Sequence, residues 1–171
     1  MSIQIPLEEV PQGIDLSVSL GLRHLDDAKM LIKSERVEGA TILAVFGLEE
    51  LGRIIILKDK YKKASAKGDI YIEIKDRKQD GKKDAFYDHI EKQKIAKDTL
   101  PPNSLELHKG CFGEDFGKGF DIDIYLDQGL REITSYLDFC YKWQTPNPID
   151  VDKLKNCINE IEKAIKVQAI I

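Results

Sequence analysis

The stretch from Gly39 to Lys58, GATILAVFGLEELGRIIILK, constrains the fold most, because it is apolar on nearly every side and carries two adjacent carboxylates. At 100° per residue, Leu43 and Ile54 fall on one arc of a helix, and Val45 and Ile56 fall on the opposite side. A helix that is apolar all round is usually buried all round. A small domain has little room for such a helix, so an interface between two copies of the chain is one way to cover its second face.

The two carboxylates are Glu49 and Glu50. Glu50 falls in the apolar arc, and a buried carboxylate must be paired or neutralised. Glu49 points the other way, four residues before Arg53, where an ion pair along the helix can form. In the simpler alternative both acids are partly exposed, and Glu49–Arg53 is an ordinary surface pair. We too expect Glu49 to pair with Arg53 at the surface, but we expect Glu50 to face His89 or Arg131.

Length and composition restrict the class of protein. The chain has 171 residues, enough for one domain with a substantial core. Its formal net charge of −4 means that any contact with nucleic acid needs a local basic patch. Three cysteines without CxxC spacing argue against a disulfide framework or a zinc knuckle, and fit a reducing cytoplasm. The first residues do not read as a signal peptide, and charges interrupt the longest apolar stretch, so we expect a cytoplasmic protein without a transmembrane helix.

The first half of the chain predicts a helical hairpin. Residues 1–13 predict an extended leader, and residues 14–66 predict two antiparallel helices, the first capped by Asp15 and the second fraying after Lys58. Glycines inside the second helix, Gly39, Gly47 and Gly52, indicate that another backbone comes close. Alternating isoleucines at positions 70, 72 and 74 are typical of a short strand, but without an obvious partner an irregular or helical segment fits equally well. Residues 75–83 predict an exposed loop.

The second half predicts further helices around a glycine-containing loop. A third helix is expected over residues 84–98 and a long loop over 103–120. A C-terminal helical pair is expected over 122–168, with one helix over Ile122–Trp143 and the next beginning at Asp150 or Asp152. The last helix carries an apolar stripe of Val151, Leu154, Ile158, Ile161 and Ile165. The sequence therefore predicts one all-α domain, residues 1–171, built as a bundle of four to five helices with a long central loop.

His89 is the residue with the most chemical potential. It has no other histidine or cysteine at metal-ligand spacing, so we expect neither a metal nor another cofactor. Lys92 lies one helical turn later, and Lys82 and Lys83 precede it. A histidine beside cations can transfer a proton on RNA while the cations hold the phosphate. The alternative is a structural histidine with satisfied hydrogen bonds.

Three segments of the chain carry a resemblance to a known family: LGLRHLDDAKMLIKSERVEGATILAVFGLEELGRI, AFYDHIEKQKIA and LREITSYLDFCYKWQTP. Together they resemble the HEPN superfamily and, within it, the AbiV-type abortive-infection proteins, over about residues 17–168. The first is similar to the family's hairpin that ends A-x-x-x-L-E-E-L-G-K/R. The second is similar to its aromatic–x–x–His–x–x–Lys segment, and the third to a stretch with Arg, Tyr-x-Asp, Trp and Pro. The matching residues are Phe86, His89 and Lys92, and then Arg131, Tyr136, Asp138, Trp143 and Pro146.

The resemblance implies a HEPN-like bundle that usually dimerises, with its site in a cleft near the two-fold axis. It implies phage defence by action on RNA or on the translation machinery, with a phage protein as a further partner. Many HEPN proteins are metal-independent ribonucleases in which an RNA 2′-hydroxyl attacks its own phosphate. In that form the catalytic set would be His89, Lys83, Arg131 and Glu50, and the binding set would be Lys82, Lys92, Glu49, Tyr136 and Asp138.

The sequence departs from the family's ribonuclease signature, which is an Arg followed after four to six residues by a His. Positions 82–84 hold no arginine, and Arg77 lies too far back. Lys82, Lys83 or Arg131 would have to supply the charge, and a lysine lacks the planar fork of a guanidinium. The alternative is therefore a non-catalytic dimeric HEPN module that binds a protein or nucleic-acid partner. A helical structural protein without a site is the third interpretation.

Overall fold

A computed structural model describes residues 2–75, 84–112, 120–126, 138–139, 143–144 and 149–170. Helices hold most of these residues, which confirms the all-α prediction. The described helices are α1 (Val10–Lys33), α2 (Val37–Lys67), α3 (His89–Lys97) and α4 (Val151–Gln168). The described strands are β1 (Ser2–Pro6), β2 (Tyr71–Lys75), β3 (Glu106–Phe112), β4 (Phe120–Tyr125), β5 (Asp138–Phe139) and β6 (Trp143–Gln144).

The hairpin of α1 and α2 forms as predicted, but both helices are longer than expected. The predicted start at Asp15 is wrong, because α1 begins at Val10 and places Pro11 in its first turn, where a missing N–H costs no helical hydrogen bond. The basic segment after Lys58 does not fray. It continues α2 to Lys67, and Gly68 ends the helix with a φ of 74° in the left-handed region.

The second helix, α2, is buried on several sides by its own chain. It packs against α1, α3 and α4, and β2 also contacts it. Its buried side chains include Val45, Leu48, Leu51, Ile54, Ile56 and Leu57. An interface with a second copy is therefore not needed to cover the apolar faces of α2, and this helix no longer supports the prediction of a dimer.

Two of the α2 glycines mark close contacts, and at Gly52 the close neighbour is another backbone, as the sequence predicted, whereas at Gly47 it is a side chain. A Cβ at Gly47 would lie 2.6 Å from Cδ2 of Leu25 on α1. A Cβ at Gly52 would lie 2.1 Å from the backbone carbonyl oxygen of Lys92 on α3. Only a residue without a side chain fits the second position, because the obstacle is backbone that cannot rotate away.

The strand at residues 71–75 has a partner that the sequence did not reveal. Strand β1, within the predicted leader, pairs with β2 in antiparallel register, with Ile5 opposite Ile72 and Ile3 opposite Ile74. The strand interpretation of β2 is therefore correct, and the irregular or helical alternative is wrong. A short 3-10 turn, Leu7–Glu9, connects β1 to α1.

The predicted long loop is wrong from Glu106 to Phe112 and at Phe120, although residues 103–105 do form a turn, and the predicted fourth helix is wrong where the structure describes it. Strands β3 and β4 form an antiparallel hairpin with Gly110 opposite Ile122. Alternation of Phe120, Ile122 and Ile124 with polar neighbours is a period of two, which favours a strand over a helix. Short strands β5 and β6 also pair within the predicted fourth helix. The rest of these predictions, at 113–119, 127–137 and 140–142, lies outside the described residues, as does the predicted loop over 76–83.

The last helix follows the sequence closely. Asp150 is its N-cap, and its Oδ1 accepts hydrogen bonds from the backbone N–H groups of Asp152 and Lys153. The stripe residues Leu154, Ile158, Ile161 and Ile165 are fully buried. Across the described residues, no helix combines the length and the apolar character that crossing a membrane would need.

Candidate functional site

A buried carboxylate on α2 joins three side chains of α3. Nδ1 of His89 lies 2.6 Å from Oε2 of Glu49, and Nε2 of Gln93 donates to Oε1 of Glu49 at 2.9 Å. The ammonium of Lys92 lies 3.9 Å from the same Oε2. The spacing 89, 92, 93 places the three α3 side chains on one face of the helix. Glu49 is therefore the shared polar partner of all three side chains at the contact between the two helices.

The capping residue Asp88 determines where α3 begins, and Gly52 determines how close α3 lies to α2. The side chain of Asp88 caps α3 by accepting hydrogen bonds from the backbone N–H groups of Ile90 and Glu91. Gly52 lets the backbone of Lys92 approach α2. The predicted start at residue 84 is wrong, because residues 85–87 form a turn and His89 is the first helical residue.

The pair of His89 and Glu49 lies at the rim of the fold. The side chain of His89 is 52% exposed, whereas that of Glu49 is buried. Because Nδ1 faces the carboxylate, Nε2 is the ring nitrogen left for a ligand. A carboxylate at Nδ1 fixes the tautomer and orientation of the imidazole and compensates the charge when the ring is protonated. This arrangement can carry out proton transfer.

The second carboxylate, Glu50, holds Arg53. Nη1 of Arg53 lies 2.9 Å from each oxygen of Glu50, and the guanidinium carbon lies 5.6 Å from the centre of the Phe86 ring. Burial raises the pKa of Glu50, against the positive charges of Arg53 and Lys92 and a hydrogen bond from Ser17.

Lys92 is part of the buried network. Its side chain is 2% exposed. Burial lowers the pKa of Lys92, and the charge of Arg53 lowers it further, while Glu49 and Glu50 act in the opposite direction. Its ammonium therefore sits among fixed charges at the helix contact, where the sequence had suggested a cation beside a phosphate.

A histidine of α1 lies near the same carboxylate. The ring of His24 packs against Phe46 with 5.6 Å between ring centres. Burial lowers the pKa of His24, as does Arg23, while Asp27 and Glu49 act in the opposite direction. His24 is therefore within electrostatic range of Glu49, which the sequence pattern did not indicate.

The structure reverses the roles predicted for the two acids. The predicted surface pair of Glu49 with Arg53 is wrong, because Glu49 is buried and faces His89, whereas Arg53 pairs with Glu50. Both spacings suit an ion pair along a helix, and only the side on which α3 packs decides between them. The predicted facing of Glu50 and His89 is replaced by a contact of His89 with Glu49.

The predicted site residues divide into two groups. The structure brings together His89, Lys92 and Glu49, and places Glu50 next to Glu49 on the same helix. Lys82, Lys83, Arg131 and Tyr136 lie outside the described residues, and of Asp138 only its place in β5 is described. Sequence reasoning missed Gln93 as a partner of Glu49, although its position one turn after His89 was a usable signal. It also missed Arg53 as a site residue.

Metal-binding and thiol chemistry find no support in the described part of the chain. No group of three or more His, Cys, Asp or Glu side chains there could hold a metal ion. Cys157 is buried in the core, and burial raises the pKa of its thiol to about 12. That thiol is therefore protonated at neutral pH and is not a nucleophile.

Comparison with known proteins identifies the family. The family model of the HEPN superfamily described as AbiV matches residues 10–164, which include α1, α2, α3 and most of α4. No curated protein and no solved structure gave a match. Because the family model covers nearly the whole chain, this chain belongs to the AbiV family of the HEPN superfamily.

Proposed function

We propose that this protein is an abortive-infection protein of phage defence that cleaves RNA without a metal ion, with His89 as the proton-transfer group. Membership of the AbiV family supports the defence role. The contact between the exposed His89 ring and the buried Glu49 carboxylate carries the ribonuclease part of the proposal. A histidine oriented in this way is suited to general acid–base catalysis.

The reaction is a transesterification within the RNA. Nε2 of neutral His89 takes the proton of a 2′-hydroxyl, and the 2′-oxygen forms a bond to the adjacent phosphorus. The bond from phosphorus to the 5′-oxygen of the next nucleotide breaks, and the imidazolium returns its proton to that oxygen. The products are a 2′,3′-cyclic phosphate and a free 5′-hydroxyl. Glu49 accepts the Nδ1–H of His89 throughout and compensates the transient positive charge.

Lys82, Lys83 and Arg131 remain the sequence-based candidates for stabilising the phosphorane. Lys92 would hold the network in place, since it is buried against Glu49. Tyr136 and Asp138 remain candidates for binding the RNA or the translation machinery.

The alternative is a non-catalytic dimeric module that binds a protein or nucleic-acid partner, such as a phage protein. One observation favours it. The cations of the described cluster are matched to acids, Arg53 to Glu50 and Lys92 to Glu49, so each already has an acidic partner within the protein. Light scattering of the purified protein tests the dimer in either case, because a clean monomer would contradict it.

The test of the enzyme uses purified protein and total RNA in EDTA. We expect cleavage products with cyclic phosphate ends, a rate about 10²–10⁴ lower with His89→Ala, and a reduced rate with Glu49→Gln. Glu160→Gln, on the exposed side of α4, is the matched control for loss of a carboxylate and should cleave like the wild type. A wild type that stays inactive at high concentration would reject the ribonuclease and leave the binding module.

A further inference from the structure

We propose that Arg53 forms an anion subsite beside His89 that binds the non-bridging oxygens of the scissile phosphodiester in single-stranded RNA. The inference rests on the proposed function. The chain has no arginine four to six residues before His89, and Arg53 on α2 would supply the missing guanidinium. Its positive charge can stabilise the phosphorane.

The position of Arg53 follows from contacts on both helices. Arg53 lies one turn after Glu49 on α2, and Glu49 holds His89. Its guanidinium lies over Phe86, in the turn that leads directly into α3 and His89. Arg53 and His89 therefore lie close to each other, where the segment from Phe86 to His89 packs against α2. The Arg53 side chain is 28% exposed, so part of it is open to solvent.

The hydrogen bonding of Arg53 leaves donors for a second anion. A guanidinium has five N–H donors. Both contacts to Glu50 come from Nη1, so Glu50 does not occupy the edge formed by Nε and Nη2. Among the described residues, Nε of Arg53 is buried and has no hydrogen-bond partner. An unsatisfied buried donor is unfavourable. A rotation of the partly exposed guanidinium would bring its Nε–Nη2 edge to a phosphate, and that edge matches two phosphate oxygens in geometry and charge.

Glu50 orients Arg53 and also competes with the phosphate. Its carboxylate fixes the guanidinium against Phe86, and at the same time it is the anion nearest to that guanidinium. Removing the charge of Glu50 should therefore strengthen binding of a phosphate to Arg53. A purely structural ion pair predicts a loss of stability in the same variant, with no gain in affinity, and this difference separates the two interpretations.

The experiment measures binding apart from cleavage. The probe is a fluorescent single-stranded RNA oligonucleotide with 2′-O-methyl groups, which cannot undergo 2′-hydroxyl attack. Anisotropy titrations at one salt concentration compare the wild type, Glu50→Gln and the double variant Glu50→Gln/Arg53→Gln. We expect Glu50→Gln to bind several-fold more tightly than the wild type, and the double variant to bind about tenfold more weakly than Glu50→Gln.

The double variant leaves no unpaired charge at this position, so it is a fair test of the arginine. Circular dichroism and thermal melting establish that each variant is folded. Lys63→Gln removes an exposed cation that pairs with Asp59 on the same helix, and it should change affinity less than about twofold. A folded double variant that binds the probe as tightly as Glu50→Gln would overturn the subsite.

Cleavage of unmodified RNA separates this inference from the proposed function. We expect Arg53→Lys, which keeps the charge but loses the fork, to lower kcat about 10²-fold with a smaller change in KM. A wild type that binds the probe through Arg53 but never cleaves RNA would reject the ribonuclease and retain the subsite. An active enzyme whose kcat and probe affinity are unchanged by Arg53→Lys and Arg53→Gln would retain the ribonuclease and reject the subsite.

Discussion

Gly52 is the single residue on which the geometry of the site depends most directly. A Cβ at this position would lie 2.1 Å from the carbonyl oxygen of Lys92, so any side chain must push α3 away from α2. We expect Gly52→Ala to lower the free energy of unfolding by about 3 kcal/mol. The displacement would also lengthen the contact of His89 with Glu49 and reduce RNA cleavage. Denaturant unfolding and the cleavage assay measure the two effects.

Gly13→Ala is the matched control for that change. Gly13 also lies in a helix, and its Cβ would lie at an ordinary 3.7 Å from Cδ1 of Leu57. Alanine is the better helix former, so this variant should gain up to about 1 kcal/mol. If Gly52→Ala were as stable as Gly13→Ala, the proposed close approach of the two helices would be wrong.

The sequence predicted most of the residues that meet at the candidate site, but not which of them pair with each other. The sequence points to His89, Lys92 and Glu49, because an unusual acid pair and a histidine near cations stand out in it. The exchange of roles between Glu49 and Glu50 was not predictable. Their directions differ by only 100° around α2, and the choice depends on where α3 packs, which no local pattern encodes.

At the scale of elements, the N-cap of α3 controls the position of His89. This helix has nine residues, and the Asp88 carboxylate accepts two backbone hydrogen bonds at its start. We expect Asp88→Ala to cost about 1 kcal/mol of stability and to let the first turn fray. Because His89 is in that turn, RNA cleavage should fall more than stability alone explains.

Asp150→Ala provides the comparison for the cap. Asp150 caps α4 through the same pattern of two backbone hydrogen bonds, and α4 contributes no residue to the site. Asp150→Ala should lower the stability by a similar amount to Asp88→Ala, measured by thermal melting. It should leave the cleavage rate of the folded protein unchanged. Equal cleavage by the two variants would show that the cap of α3 has no part in the site.

Helices and strands were predicted correctly where local interactions in the sequence form them, and missed where they depend on a partner that is distant in sequence. Helices α1, α2 and α4 were predicted because their periodicity is local, and for α4 the capping by Asp150 is local as well. Strand β2 stayed undecided because its partner β1 is distant in sequence. The hairpin of β3 and β4 was mistaken for a loop and the start of a helix, because its glycines suggested a loop and the alternation of Phe120, Ile122 and Ile124 went unused.

At the scale of the whole molecule, the apolar faces of α2 are buried by other elements of the same chain. The sequence argument for a dimer assumed that α2 would keep a bare apolar face, but α1, α3, α4 and β2 all contact it. A dimer, which the HEPN family favours, would therefore use a different surface. The candidate site lies beside α3 and the turn before it. A dimer interface formed by these residues would therefore also enclose His89.

The ion pair between α1 and α4 should make the stability of the whole bundle depend on pH. Glu162 on α4 accepts hydrogen bonds from Lys166 and from Lys29 on α1, and these bonds lower its pKa below the ordinary 4.5. Because the folded-state pKa is the lower one, the contribution is complete above about pH 4.5 and is lost as the pH falls through the folded pKa. We expect Glu162→Gln to cost about 1 kcal/mol at pH 7 and progressively less as the pH falls below 4.5, measured by denaturant unfolding. Glu160→Gln, which loses only a pair within α4, should show a smaller change. A cost for Glu162→Gln that stays constant with pH would contradict this role.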